Sequence, residues 1–154
     1  MRTALGLVAA CTVVSAACSS APAPPPFKPV ADNKLLMQSV IDPNADFIWD
    51  AVKTIITSKS TEQIRPKTDA EWVAVRNAAV ALAESGNLLM LVPRAKDGGE
   101  WMKRSQELIT TGEEAIRAAD TKNAERLFTV GGDIYEACSN CHRQYMDAIV
   151  NANK

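Results

Sequence analysis

The chain has 154 residues, with 17 Lys and Arg against 18 Asp and Glu, a single histidine and a formal charge of −1. That balance excludes a nucleic-acid binder, which would need a basic face. A hydrophobic content of 47%, partly due to an apolar leader, suits a globular domain. Met1-Arg2 is positively charged, and Ala4 to Ala17 is an apolar run. This reads as a signal peptide over residues 1–17, too short to span a bilayer comfortably as a mature helix. Its removal takes away Arg2 and no acidic residue, so the mature chain carries a formal charge of −2.

The leader ends in Val14-Ser15-Ala16-Ala17-Cys18. Small residues before a cysteine resemble the lipobox of bacterial lipoproteins, with Cys18 acylated as the first mature residue. Ser15 departs from the usual Leu, Val or Ile. Val8-Ala9-Ala10-Cys11 fits better but leaves too short an apolar core before it. Ordinary cleavage without lipidation is the alternative. Residues 18–31 form a linker, and Ser19 to Val30 holds five of the eight prolines, a composition that favours extended polyproline II. By the same resemblance, Ser19 in place of an aspartate implies the outer membrane, with the chain facing the periplasm.

From Ala31 on, helical periodicity dominates. Four helices are expected over residues 32–154. The first covers Asp32 to Thr57, with Leu36, Val40, Phe47, Ala51 and Ile55 on its apolar side. A break is expected near Pro43, which lacks an N–H and crowds the carbonyl four residues back. Ser58 to Lys67 reads as a polar connection. The second helix opens with the capping box Thr68-Asp69-Ala70-Glu71. It carries Trp72, Val75, Ala79, Leu82, Gly86 and Leu89 on one face and stops before Pro93. The third follows cap spacing at Asp97-Gly98-Gly99-Glu100, with Trp101, Ser105, Leu108, Gly112, Ala115 and Ala119 on its face. The fourth runs from Lys122 to Val150, and its face is Leu127, Gly131, Ile134, Cys138, Cys141 and Tyr145. At Gly131-Gly132, close approach of a neighbour and a tolerated kink are both open readings. Four amphipathic helices with short connections make an all-α fold, expected as an antiparallel four-helix bundle.

Cys138-Ser139-Asn140-Cys141-His142 reads C-x-x-C-H, the attachment signature of c-type haem. Two thiols can add to the haem vinyl groups, and His142 can take one axial position on iron. A thioredoxin-like site would follow a strand, and none precedes this motif. A zinc site needs about four ligands, and Cys138, Cys141 and His142 supply three; structural cysteines that happen to stand beside a surface histidine are the third alternative. Attachment of haem takes place outside the bacterial cytoplasm, in keeping with the leader. With Cys11 in the leader and Cys18 lipidated, no disulfide framework is left to propose.

A C-x-x-C-H in the last helix of a helical domain resembles class II cytochromes c, the cytochrome c′ family, over about Asp32 to Lys154. The resemblance implies a haem-binding four-helix bundle, His142 as proximal ligand and a first-helix residue covering the distal side. Met37, the only methionine or histidine on that helix, is the candidate distal ligand; plain core packing is its ordinary alternative. Members with a methionine ligand look like electron carriers. Members resembling cytochrome c′ leave iron five-coordinate and bind nitric oxide or carbon monoxide. The expected function is periplasmic electron transfer through one haem c, with redox proteins as partners, a membrane anchor and, as in many relatives, a homodimer. Nothing resembles a hydrolytic or phosphate-binding site, so a carrier or gas binder is expected rather than an enzyme.

Overall fold

The computed structural model describes residues 27–152, with side chains as far as Met146. The leader 1–17, Cys18 and most of the proline-rich linker lie outside the described residues. The described chain is predominantly helical. None of its helices is long and apolar enough to cross a membrane.

α1 (Asn33–Leu36) starts at Asp32, whose carboxylate accepts the Leu35 N–H at 2.7 Å. It passes through a π-turn (Met37–Ile41) into α2 (Asp42–Ala51). There the Asp42 N–H reaches back five residues to the Met37 carbonyl, one more than in an α-helix. Pro43 accounts for the position of this disturbance, since it cannot donate to the residue four before it. The Asn44 side-chain amide donates to the Val40 carbonyl at 2.6 Å.

The extra residue moves the apolar face. An uninterrupted helix would bury Leu36, Val40 and Phe47. The buried residues are instead Leu36, Ile41, Ala45, Ile48 and Val52, and Phe47 is 47% exposed. The expected face is therefore wrong by one position beyond the π-turn.

The first helix also ends earlier than expected. Val52 turns extended (φ −139°, ψ 98°), and β1 (Lys53–Ile56) pairs antiparallel with β2 (Thr61–Ile64). The run Thr54-Ile55-Ile56-Thr57 is β-branched throughout, which favours a strand over a helix. The register is Lys53 to Ile64 and Ile56 to Thr61. Thr57 closes the loop by accepting the Lys59 and Ser60 N–H groups at 3.2 and 2.9 Å.

α3 (Asp69–Met90) begins with the expected capping box: Glu71 accepts the Thr68 N–H at 2.8 Å, and the Thr68 hydroxyl accepts the Glu71 N–H at 3.2 Å. α4 (Glu100–Asp120) and α5 (Ala124–Ala152) follow. The expected faces of α3 and α4 are buried throughout. Glycines let these two helices approach closely. A methyl group on Gly86 would stand 2.7 Å from the Ser105 carbonyl oxygen, and one on Gly112 would stand 2.9 Å from the Ala83 backbone. α5 packs on α4, and α2 packs on both α3 and α5.

Gly131 is a point of close approach. The Trp49 indole lies 3.1 Å from where its Cβ would be and donates to its carbonyl at 2.8 Å. Gly132 faces open space. Arg94, buried in the α3–α4 connection, donates to the Ala31 and Leu88 carbonyls at 3.0 and 3.2 Å. It thereby ties the segment entering α1 to the end of α3.

If the π-turn carries one spare residue, deleting exposed Ser39 closes it to an α-turn and keeps both apolar faces in phase. Deleting Phe47 has no such outlet and rotates Ile48 and Val52 outward, at about 1.5–3 kcal/mol for each side chain exposed. Denaturant unfolding is expected to stay cooperative for the Ser39 deletion and to weaken sharply for the Phe47 deletion. Equal losses would contradict this account of the π-turn.

Candidate functional site

α5 carries three chemically active side chains within five residues. Cys138 and His142 are one helical turn apart, and Cys141 lies between them. The apolar face of α5 includes Leu127, Val130 and Ile134, all fully buried, and continues to Ala137, so the motif lies where that face runs on toward the core. All three side chains are half-buried, and both cysteines are free thiols. Burial pushes the Cys138 thiol up to about 11, with the nearby Asp42 carboxylate adding to it. Burial also raises Cys141, with Arg104 opposing and Glu107 reinforcing the shift.

These side chains open on a narrow cleft of about 30 Å³. Met37, Ile41 and Asp42 come from the π-turn and the start of α2. Leu89 comes from α3, and Arg104, Ser105 and Leu108 come from α4. Ala137, Cys138, Cys141 and His142 complete the lining from α5. The cleft thus brings Met37 together with the C-x-x-C-H residues from about a hundred positions away. Met90, Met102 and Met146 do not line it, nor do Arg65, Arg76, Arg94 and Arg143. Cys18 lies outside the described residues. A more open cleft beside the hairpin, lined by Val52, Gln63, Glu125 and Phe128 among others, holds no thiol, thioether or imidazole.

The polar groups of the cleft are few. The Ser105 hydroxyl is already committed to the Trp101 carbonyl at 2.9 Å. Arg104 is anchored by Glu107 at 2.8 Å and Glu100 at 3.3 Å. Its Nε is buried without a partner. Sequence reasoning passed over Arg104, although it lies three residues after Trp101 and four before Leu108, at the edge of the buried α4 face.

A second cluster fixes the setting of α5 on α4. Trp101 donates from its indole to the Leu89 carbonyl at 2.8 Å, and the Tyr145 ring meets it edge-on at 4.9 Å between centroids. The Tyr145 hydroxyl donates to Asp97 at 2.5 Å. The other Asp97 oxygen accepts the Gly99 and Trp101 N–H groups at 2.9 and 3.1 Å, so Asp97 serves the α4 N-terminus from outside the helix. Tyr145 lies one turn beyond Cys141, which connects this latch to the orientation of the motif.

Among the described residues, no group of three or more His, Cys, Asp or Glu is placed to hold a metal ion. The cleft instead offers two thiols, one imidazole and one thioether in apolar surroundings. No protein-family model, curated protein or solved structure matches this chain.

The hydrogen bond from Tyr145, followed by those from Trp101 and Gly99, holds the Asp97 carboxyl below the usual carboxylate range. A depressed carboxylate stabilises the fold above its unfolded pKa of about 3.9, and this contribution fades as pH falls through the lower folded value. Asp97→Asn is therefore expected to melt below the wild-type chain at pH 6, with the gap narrowing as pH drops under about 4. A gap that stays constant down to pH 2 would contradict the assignment.

Proposed function

We propose that this chain is a class II cytochrome c: an antiparallel four-helix bundle that carries one covalent haem c and transfers electrons on the periplasmic side of a bacterial envelope. In this reading Cys138 and Cys141 form the thioethers, His142 is the proximal iron ligand and Met37 the distal one. The observation that carries it is the shared cleft: Met37 and the C-x-x-C-H residues line one apolar space although they stand at opposite ends of the domain.

The donor set fits a haem better than a bare ion. One imidazole and one thioether are too few to enclose a metal, but they suffice for the two axial positions of iron already held by a macrocycle. Each thiol S–H would add across a vinyl double bond, with sulfur going to one carbon and hydrogen to the other, so no oxidant is needed. Two covalent links would hold a flat group in a cleft with limited walls. When bound, the haem supplies one-electron chemistry, and methionine ligation favours ferrous iron and a raised potential.

The chain's own residues define the rest. Leu89, Leu108, Ile41 and Ala137 keep the surroundings apolar and exclude water. The Tyr145–Asp97 hydrogen bond and the edge-on contact between the Trp101 and Tyr145 rings hold α5 against α4. Redox proteins are the natural partners, and Cys18 would tie the domain to the membrane through its proline-rich linker.

Absorption spectroscopy of the oxidised holoprotein tests the axial assignment. The expected result is a low-spin spectrum with a methionine-to-iron charge-transfer band that Met37→Ala abolishes. A high-spin spectrum, the same in wild type and Met37→Ala, would instead indicate a five-coordinate haem that binds nitric oxide or carbon monoxide.

A further inference from the structure

Arg104 is the one cation among the side chains that line the cleft. Its two terminal nitrogens are held by Glu107 and Glu100, and its side chain is only 20% exposed. The remaining donor, Nε–H, is buried and has no partner. A buried donor without an acceptor is destabilising, so such groups are seldom left unpaired. The pair of carboxylates explains how the guanidinium is held but leaves this edge unserved.

The haem assigned to this cleft is a largely apolar macrocycle whose only anionic groups at its edge are its propionate carboxylates. A carboxylate is the acceptor best matched to a guanidinium edge. The two glutamates restrict the guanidinium in advance, so little side-chain freedom would be lost on binding. Asp42, the other fully charged residue of the lining, has the wrong sign for this task.

We propose that Arg104 is a binding residue for a haem propionate, taking the carboxylate through its unpartnered Nε–H. The proposal rests on the haem reading above and gives that site its polar anchor. It assigns the role to α4, a helix that contributes neither a thioether nor an axial ligand.

The test compares wild type, Arg104→Met and the control Arg143→Gln, an exposed arginine on α5 that bonds Asn140. Each protein is matured with haem, and the propionate bending bands are read by resonance Raman spectroscopy beside the reduction potential. A haem stain after denaturing electrophoresis is scored first: an unstained wild type refutes the haem reading itself. With haem attached, Arg104→Met is expected to shift one propionate band to the position of a free carboxylate and to lower the potential. Arg143→Gln is expected to leave that band in place. An unshifted band in Arg104→Met, or an equal shift in Arg143→Gln, overturns the proposal while leaving the haem reading intact. Should Arg104→Met fail to fold, Arg104→Gln retains a polar side chain without the charge and is read by the same two outcomes.

Discussion

The close approach of α3 and α4 is the constraint on which the rest of this structure depends. Gly86 and Gly112 remove the side chains that would hold the two helices apart, and Ala83 and Ser105 occupy the space so gained. A methyl group at either glycine would meet backbone atoms, which cannot swing aside as a side-chain end can. The pair therefore forms a firm wall. The π-turn and α2 dock on it through Ile41, Ala45 and Ile48, and α5 docks through Leu127, Val130 and Ile134. Both segments that carry site residues are positioned by the same surface, and Leu89, Arg104, Ser105 and Leu108 of that surface line the cleft between them.

The site depends on two local devices. The π-turn absorbs one residue between Leu36 and Ile41, so that both are buried and Met37 lines the cleft beside them. π-turns of this kind recur at functional sites, where an inserted residue changes which side chains face inward. On the opposite side, Asp97 joins the start of α4 to Tyr145 while Trp101 bridges to the end of α3. The result is a largely apolar cleft lined by two half-buried thiols, one thioether, one anchored guanidinium and one imidazole.

Much of this was legible in the sequence because α3, α4 and α5 are regular. Their small and apolar residues recur at steps of three and four, and every position so marked in α3 and α4 is buried. The first helix resisted the same reading for a physical reason. Periodicity assumes a constant 3.6 residues per turn, and the π-turn violates it, so Phe47 appeared to be core where Ile48 is. The hairpin was missed because its strands lie almost wholly exposed and show no alternation of burial, although the β-branched run Thr54 to Thr57 favoured a strand. Cys138, Cys141 and His142 announced themselves by spacing. Met37 was found as the only thioether on its helix. Arg104 was not, because an arginine beside a buried face looks like any solvated arginine until its neighbours in space are known.

The proposed function stands or falls with covalent attachment of haem by Cys138 and Cys141. The most direct measurement is in-gel haem staining of the mature protein after denaturing electrophoresis, run beside a Cys138→Ala/Cys141→Ala double variant. Thioether links survive denaturation, so the wild-type band is expected to stain and the double variant to lose the stain entirely. A wild-type band without haem, from cells that mature other c-type cytochromes, would contradict the account.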